Sequence, residues 1–399
     1  MTNPLAGTIA LYKNAYSGLS RSTWMLSLVM LVNRSGTMVL PFMTIYLTAM
    51  GFSLFKAGAV FGIWGVGAIF GGYIGGKFTD RWGFQQVQLL TLSGGGILFI
   101  VLGLMKSYSL ICLFTFILSM VNEAFRPANN TAIAHYSNSE NRTRSFSLNR
   151  LAINLGWAFG GTLGGFIASF NYHLLFWIDG LTNLFAVALL YTLLRQKPEQ
   201  PGRTINEPEA PTAKSAFHDR PYVLFICLAI CYGICFFQFY STMPVFYKES
   251  LRLSEFYIGM LMGLNGVIIV LIEMVLIFHL ETRQWITSYI AIGAALTAMS
   301  FFVLNIFPGH ALTALLSMIL VTFGEIFGMP FMNTYWIRRT TPGNRGQYAG
   351  LYAMAWSLSQ VTGPVLGTWF AGLYGFSSLW WAIGGVSLAT AILYRTAKL

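Results

Sequence analysis

The sequence predicts an all-α membrane protein with twelve transmembrane helices in two six-helix bundles. Three observations predict this fold class: long uncharged apolar runs, a residue pattern that occurs twice, and one long polar segment between the two occurrences. Of the 399 residues, 55% are hydrophobic and only 9% are charged. A soluble domain carries about a quarter charged residues.

The apolar runs predict the individual spans. Four stretches contain no Asp, Glu, Lys or Arg: residues 57–76, 151–178, 221–247 and 346–394. A helix needs about 20 residues to cross ~30 Å of hydrocarbon, so these runs are long enough to span a bilayer. Breaks between the runs give twelve spans, numbered 1 to 12 in chain order. They begin near Trp24, Ala57, Val87, Ser109, Ser147, Leu174, Pro221, Glu255, Trp285, His310, Ala349 and Ser378.

The polar segment divides the spans into two sets of six. Residues 195–220 contain four prolines and three glutamates, which is typical of a linker. We therefore predict an N-terminal bundle of residues 24–194 and a C-terminal bundle of residues 221–399. Residues 1–23 have no apolar core followed by a small-residue cleavage site, so we predict an amphipathic segment on the membrane rather than a signal peptide.

The basic residues predict the orientation. If the N-terminus, the linker and the C-terminus are cytoplasmic, 18 of the 24 Lys and Arg residues lie on the cytoplasmic side, as the positive-inside rule requires. The other six are Lys56, Lys106, Lys248 and Arg252 outside, and Arg34 and Arg126 within spans. The net charge of +11 therefore indicates topology, and we expect no nucleic-acid partner.

The chain contains two copies of one unit. Pro127, Asn130, Thr131, Asn141 and Arg142 recur 203 residues later as Pro330, Asn333, Thr334, Asn344 and Arg345. Likewise, Ser53, Phe55, Gly58 and Gly62 match Ser254, Phe256, Gly259 and Gly263 at an offset of 201, and Gly160, Gly161 and Gly164 match Gly363, Pro364 and Gly367 at 203. Six spans separate the equivalents, so both copies share one orientation. Parallel repeats in so apolar a chain predict a solute carrier with its substrate site between the halves.

The turn between spans 2 and 3 resembles a motif of the major facilitator superfamily. Gly76, Asp80, Arg81 and Gly83 match that superfamily's Gly-x-x-x-Asp-Arg-x-Gly loop, and the resemblance covers essentially the whole chain. The superfamily usually continues with basic residues, whereas residues 84–86 here are Phe-Gln-Gln. The resemblance implies two bundles that open alternately to each side of the membrane.

The same loop predicts a conformational latch. Gly76 and Gly83 permit a tight turn and a close helix approach, and Asp80 can meet a helix N-terminus in the other half. Arg81 can pair with a carboxylate or with helix C-terminal carbonyls. We also assign Arg126 to this latch. Such contacts would exist only with the cytoplasmic side closed and would favour the outward-facing state; the alternative is a solvated turn of ordinary topology charges.

Span 5 resembles the glycine-rich motif of drug–proton antiporters. The matching residues are Asn154, Gly156, Gly160, Gly161 and Gly164, although the motif normally has proline where Gly161 stands. Small residues at four-residue spacing let helices approach closely and slide. Close packing alone would also produce this pattern.

Span 1 and span 10 resemble those of bacterial multidrug exporters. The similarity rests on residues 33–36 (Asn-Arg-Ser-Gly), followed by Pro41 and Tyr46, and on Glu325 in span 10. It implies a bacterial cytoplasmic membrane and protons as the coupling ion, with sodium as the alternative ion. Proton-coupled peptide transporters carry Glu-x-x-Glu-Arg in helix 1, but residues 30–34 here are Met-Leu-Val-Asn-Arg, which argues against peptide uptake.

Ionisable residues at membrane depth cost roughly 3 kcal/mol each, so they are candidate site residues. Arg34 lies about ten residues into span 1, near the midplane; it could bind an anionic group, or form a permanent ion pair. Glu325 lies about fifteen residues into span 10. Burial favours the neutral acid there, so Glu325 could carry a proton or hold a cationic substrate. Packing against polar groups of the other half is the alternative.

Three further carboxylates are candidates. Glu123 and Arg126 are three apart in span 4, which predicts a local ion pair and a contribution to an inner gate. Glu273 in span 8 is a second proton site or a residue near the membrane–water interface. His279 is the one candidate partner near it in the sequence. Asp179 near the start of span 6 is an outer-gate contact or, as we favour, a wet interfacial carboxylate.

These features together predict a proton-coupled, monomeric exporter of small amphipathic or drug-like compounds. Aromatic residues, which make up 16% of the chain, crowd span 7 and suit flat lipophilic cations, although interfacial belts explain them equally well. Uptake of an anionic or sugar-like solute is the alternative within transport, and a non-transporting receptor is the alternative of another class. The sequence has no nucleotide-binding, zinc-protease or serine-hydrolase motif, so we expect no enzyme, cofactor or metal.

Overall fold

The structure, a computed structural model, describes residues 18–138, 141–194, 216–273, 276, 277, 280, 285–307, 311–340 and 345–397. Within this part of the chain, eleven helical stretches are long and apolar enough to cross a membrane. The last, Gln347–Thr396, has 50 residues and would be ~75 Å long as one helix. It contains Gly375 at a φ of 81°, where two helices meet. Counted as two, it gives the predicted twelve spans, and the fold class is confirmed.

The spans begin within five residues of their predicted starts. Span 1 consists of Arg21–Ser35 and Val39–Ala49, and spans 2 to 6 are Leu54–Trp82, Phe84–Leu104, Tyr108–His135, Arg142–Ala168 and His173–Leu193. Span 7 consists of Arg220–Phe236, the 3-10 turn Phe237–Phe239 and Thr242–Glu249. Span 8 is Glu255–Ile268 with the π-helical turn Ile269–Glu273, spans 9 and 10 are Ile286–Ile306 and Ala311–Arg338, and spans 11 and 12 share Arg345–Thr396.

Local sequence explains where several spans begin. The side chains of Ser20, Asp219 and Ser254 cap spans 1, 7 and 8 by accepting hydrogen bonds from backbone N–H groups two or three residues inside each helix, as N-cap residues do. Between spans 2 and 3 the chain turns at Gly83, whose φ of 84° is costly for a residue with a Cβ. Side-chain capping and one glycine therefore place these boundaries.

The two sequence copies share their irregularities. Spans 1 and 7 are both interrupted, at residues 36–38 and 237–241, and residues 36–38 correspond to 239–241 at the 203-residue offset. Pro127 and Pro330 each lie inside a helix. In both copies the threonine four residues later donates its hydroxyl to the proline carbonyl, at 3.0 Å. The repeat therefore specifies local geometry as well as residue type.

The chain forms two compact units. Unit 1 contains Met1–Thr37, Gly67–Gly160 and His173–Arg203, and unit 2 contains Met38–Val66, Gly161–Tyr172 and Thr204–Leu399. Each has its own apolar core: Leu26, Val29, Phe125 and Ile133 lie in that of unit 1, and Tyr222, Phe225, Tyr232, Tyr289, Phe331 and Tyr394 in that of unit 2. The predicted surface segment at residues 1–17 and the linker at 195–215 lie outside the described residues.

Candidate substrate and proton site

Glu325 lies half-buried in unit 2 and accepts a hydrogen bond from span 8. The donor is Asn265 Nδ2, 3.3 Å from Glu325 Oε2. The same nitrogen is 3.0 Å from Thr322 Oγ1, one turn earlier on span 10. The structure thus places the predicted carboxylate beside polar groups of its own half, with an amide that can stabilise its ionised form.

Two tyrosines of span 7 lie near this carboxylate. The Tyr232 hydroxyl donates to the Gly324 carbonyl at 3.0 Å, directly before Glu325. Tyr232 and Tyr240 both lie close enough to Glu325 to interact with its charge. Two hydroxyl-bearing rings beside one acid give the site both a polar and an apolar surface.

Trp356 of span 11 completes an aromatic cluster around the interruption in span 7. Its ring centroid is 6.1 Å from those of Phe236 and Phe237 and 6.3 Å from that of Tyr232, all in edge-to-face geometry. Phe237, Tyr240 and Trp356 are only partly buried, so part of each ring remains accessible. We call Tyr232, Phe236, Phe237, Tyr240, Trp356 and Glu325 the aromatic–acid cluster.

Gln238 holds the interruption of span 7 in place. Its amide donates to the Ile234 carbonyl at 2.9 Å and to the Gly363 carbonyl of span 11 at 2.8 Å. Its carbonyl oxygen accepts from Thr242 Oγ1 at 2.8 Å. Gln238 is fully buried, and every one of these bonds satisfies a polar group that would otherwise be costly in an apolar interior. The cluster is thereby attached to a fixed backbone.

Arg34 lies at the other predicted position, in unit 1. It occupies the last turn of the first segment of span 1, where a cation is favoured by the helix dipole. Its Nε is buried and has no hydrogen-bond partner among the residues that the structure describes. Gly156 makes room for it, because a Cβ there would lie 2.5 Å from Arg34 Cβ. This guanidinium therefore has an unused donor.

The other predicted charges of unit 1 lie in two places. Arg126 Nη2 and Glu123 Oε2 are 3.0 Å apart, the local ion pair that their spacing predicts. Asp179, by contrast, is fully buried, so the favoured prediction of a wet interfacial carboxylate is wrong. Its backbone carbonyl accepts from Asn183 Nδ2 at 2.7 Å, and Asn183 Oδ1 accepts from Asn33 Nδ2 at 2.9 Å. The packing of span 1 on span 6 encloses Asp179. The number of residues between Asp179 and the start of span 6 gave no indication of this burial.

Glu273 is also buried, with 5% of its surface exposed. It lies in the π-helical turn Ile269–Glu273 of span 8. Such turns are rare and often occur near functional sites. Its predicted partner His279 lies outside the described residues.

The predicted latch residues lie at the end of span 2. Asp80 and Arg81 are exposed, and Gly76 has open space where a Cβ would be. The neighbouring ring of Trp82 stacks on Phe78 at 4.3 Å. The role of this loop as a latch stays a prediction.

The span-5 glycines make close helix contacts. In unit 1, a Cβ at Gly160 would lie 3.1 Å from the Ser35 carbonyl oxygen. In unit 2, a Cβ at Gly161 would lie 2.9 Å from Met262 Cβ, and one at Gly164 would lie 3.1 Å from Met38 Cβ. Asn154, the fifth residue of the motif, is half-buried. These distances demonstrate a packing role and leave the antiport role a prediction.

Two helix crossings in unit 2 are equivalent by the repeat. Span 5 crosses span 8, where a Cβ at Gly165 would clash with the Glu255 carbonyl oxygen and lie 2.6 Å from Gly259 Cα. Span 2 crosses span 11, where a Cβ at Gly58 would clash with Thr368 Oγ1. Gly58 and Gly259 correspond at the 201-residue offset, and Gly165 and Thr368 at 203. Each crossing therefore joins one segment from each sequence half.

A polar cluster stands beside the crossing of spans 5 and 8. Glu255 Oε1 is 2.7 Å from Lys248 Nζ and accepts from the Tyr172 hydroxyl at 2.5 Å. Burial and this hydrogen bond to Glu255 raise the pKa of Tyr172. The cluster links the loop after span 5 to spans 7 and 8.

At the opposite ends of spans 7 and 10, Asp219 forms a bidentate ion pair with Arg339. The distances are 3.0 Å from Nε and 2.8 Å from Nη2, and the Tyr348 hydroxyl donates to the same carboxylate at 2.8 Å. Burial alone would raise the pKa of Asp219. The hydrogen bonds from Arg339, Tyr348 and the backbone N–H of Tyr222 nevertheless hold this pKa below its usual value.

Sequence analysis did not identify Asn265, Thr322 or Gln238. A signal existed, because an amide or hydroxyl inside an apolar span requires a hydrogen-bond partner. The partners could not be named, because they lie 57 to 125 residues away.

Twelve apolar spans in two parallel copies, with acidic, basic and aromatic side chains inside them, define a polytopic solute carrier. The sequence model of the Major Facilitator Superfamily matches residues 23–361 and 287–398. The chain belongs to this superfamily and is a transporter of that type.

Individual relatives are similar across most of the chain. The uncharacterized MFS-type transporter YqjV of Bacillus subtilis (strain 168) is 24% identical over 88% of this chain and 85% of its own length. Multidrug resistance protein 1 of the same organism is 23% identical over 74% of this chain and 75% of its own. A crystal structure of a variant of the nucleoside transporter NupG has a TM-score of 0.78 at 14% identity, covering 95% of this chain and 100% of that one. The structural similarity shows the shared fold.

Proposed function

We propose that this transporter exports small lipophilic cations in exchange for protons by alternating access, as a monomer in the bacterial cytoplasmic membrane with both termini inside. Glu325 is the exchange site in this proposal. It binds a proton when the site faces outward and releases it when a cationic substrate takes its place inside. The two ions compete for one carboxylate, so each outward transport step returns a proton.

The aromatic–acid cluster is the observation that carries this proposal. Glu325 supplies the counter-charge, and the partly exposed rings of Phe237, Tyr240 and Trp356 offer faces to a flat cation. A cation over an aromatic face gains about 0.5–1 kcal/mol at an exposed site and about 2 kcal/mol or more when it is desolvated. A carboxylate out of bulk water discriminates against neutral and anionic compounds of similar shape.

The relatives add independent support. Multidrug resistance protein 1 of Bacillus subtilis and the class C tetracycline resistance protein of Escherichia coli, which is 24% identical over 77% of this chain, both carry names that denote resistance to drugs. Export of compounds that enter through the bilayer fits an apolar, aromatic site.

Reconstituted liposomes with an imposed pH gradient test the proposal. We expect the wild type to move a lipophilic cation against its gradient, and Glu325→Gln to bind it but not to couple its flux to pH. Glu249→Gln is the matched control, because Glu249 is an exposed carboxylate on span 7. Unchanged proton-driven flux in Glu325→Gln would falsify the proposal.

Uptake of an anionic solute is the second candidate, and one observation favours it. The buried, unpartnered Nε of Arg34 is a donor that an anionic group could satisfy. The same liposomes test it: Arg34→Ala would abolish anion flux and leave cation flux intact. Robust anion flux in the wild type, with none of any tested cation, would reverse the order of the two candidates.

A further inference from the structure

We propose that Asn265 is a positioning residue that sets the pH at which Glu325 releases its proton, and that Thr322 fixes the orientation in which it does so. This inference rests on the proposed role of Glu325. It concerns the regulation of that site, which the resemblance to other transporters does not assign.

The argument begins at Thr322. Its hydroxyl donates to the Met318 carbonyl at 2.7 Å, and the residue has no exposed surface. A hydroxyl has one hydrogen, so Thr322 Oγ1 can offer only lone pairs to Asn265. The group of Asn265 that faces it, at 3.0 Å, must be the NH₂.

The orientation of the Asn265 amide follows from this bond. If the amide were reversed, its oxygen would face the lone pairs of Thr322 and of the Glu325 carboxylate at once. With the NH₂ facing both, each proton has an acceptor, because Nδ2 also lies 3.3 Å from Glu325 Oε2. Amide orientation is assigned from such networks, and here only one assignment satisfies both neighbours.

A fixed donor favours one protonation state of Glu325. A hydrogen bond to a carboxylate stabilises the ionised form. Among the described residues, span 7 brings two titratable side chains, Tyr232 and Tyr240, close enough to Glu325 to interact with its charge. The Tyr232 hydroxyl is committed to the Gly324 carbonyl. Asn265 is therefore a donor that promotes proton release in this arrangement of spans 8 and 10.

The position of Asn265 makes this donor adjustable. The backbone carbonyl of Asn265 accepts a hydrogen bond from the backbone N–H of Ile269, which is the first residue of the π-helical turn of span 8. A change between α- and π-helical bonding there would rotate the preceding turn and withdraw the amide from Glu325. Movement of span 8 and the proton affinity of Glu325 are then linked through one side chain.

Infrared difference spectroscopy on the purified, full-length protein tests the inference directly. The protonated carboxyl band of Glu325 is assigned by its absence in Glu325→Gln and is titrated with pH. We expect Asn265→Leu and Thr322→Val to raise the midpoint by about one pH unit, which corresponds to loss of one hydrogen bond to a charged group. Thr322→Ser keeps the hydroxyl, so we expect its midpoint to equal that of the wild type.

The controls separate this inference from the proposed function. Asn333→Leu removes an exposed amide of span 10 and leaves the midpoint unchanged. Thr322→Val alters volume little, so it keeps the test valid if Asn265→Leu does not fold. A wild-type midpoint in both variants, or a Glu325 band that does not titrate, overturns the inference. If the midpoints shift but Glu325→Gln still couples flux to pH, the proposed function fails and the role of Asn265 stands.

Discussion

The two copies of the repeat share a framework but differ in their membrane-depth chemistry. At the 203-residue offset, Arg34, Asn122, Glu123 and Arg126 of the first copy correspond to Phe237, Glu325, Ile326 and Met329 of the second. At these positions the first copy therefore holds an arginine and a local ion pair, and the second holds one acid beside aromatic rings. The two copies share their helices but differ in the charged groups at equivalent positions.

The neighbours of the acid differ in the same way. Asn265 and Thr322, which surround Glu325, correspond to Trp64 at the 201-residue offset and Ser119 at 203. The first copy therefore lacks the amide donor as well as the acid. If Glu325 is the proton site that we propose, its polar neighbours distinguish the second copy from the first.

The largest expected effect comes from exchanging the acid between the copies. In Glu325→Asn combined with Asn122→Glu, we expect proton-driven flux in liposomes to fall to that of empty vesicles. The acid in the first copy has neither the Asn265 donor nor the aromatic rings. Retained coupling in the double variant would mean that the copies are interchangeable.

The next effect compares the two equivalent crossings. Gly165→Ala brings a methyl group against backbone atoms of Glu255 and Gly259, and overpacking of this kind costs about 1–3 kcal/mol. Gly58→Ala instead meets the Thr368 side chain. The Cβ of Thr368 would itself lie 2.6 Å from the new methyl group, so thermal unfolding in detergent should show that Thr368→Gly rescues Gly58→Ala better than Thr368→Ala does.

No equivalent rescue exists for Gly165→Ala, because its partner Gly259 already lacks a side chain. If Gly165→Ala unfolds at the wild-type temperature, the crossing of spans 5 and 8 is looser than its distances indicate.

A smaller effect concerns the contacts of Ser20 and Asp219, which differ in how their contribution to stability depends on pH. In the first copy, Ser20 Oγ donates to the Tyr136 carbonyl at 2.7 Å; Tyr136 corresponds to Arg339, the partner of Asp219, at the 203-residue offset. We expect Asp219→Asn to cost about 1–2 kcal/mol and Ser20→Ala about 1 kcal/mol in unfolding free energy.

Only the Asp219 contribution depends on pH. The pKa of Asp219 is lowered in the folded protein, so its stabilisation is fully present above the ordinary aspartate value of about 3.9. It is lost as the pH falls through the lower folded value. Unfolding measured from neutral to acid pH should bring Asp219→Asn and wild type together, while the Ser20→Ala difference stays constant.

The smallest effect checks the symmetry itself. Thr131→Val and Thr334→Val each remove a hydroxyl bonded to a proline carbonyl at 3.0 Å, and neither residue is buried. We expect both to change the unfolding free energy by under about 0.5 kcal/mol and by equal amounts. Unequal changes would show that the two proline turns are not equivalent.

Much of the fold could be predicted from the sequence, because the relevant patterns are visible along the chain without knowledge of which residues are in contact. Apolar length marks a span, Lys and Arg placement predicts orientation, and recurring residues such as Pro127 and Pro330 reveal the duplication. The ion pair of Glu123 with Arg126 also followed, because residues three apart on a helix are neighbours. The depth and environment of Asp179 did not, because helix packing decides which side of a span is enclosed.

The sequence by itself determined twelve spans, two copies and the superfamily, because hydropathy and spacing need no knowledge of partners. Only the tertiary structure decided that Asn265 donates to Glu325, that Gln238 holds the interruption of span 7, and that Gly165 meets Gly259. These contacts join spans that are far apart in the chain. They depend on how each helix is rotated and where it crosses its neighbour, which side-chain packing between spans fixes.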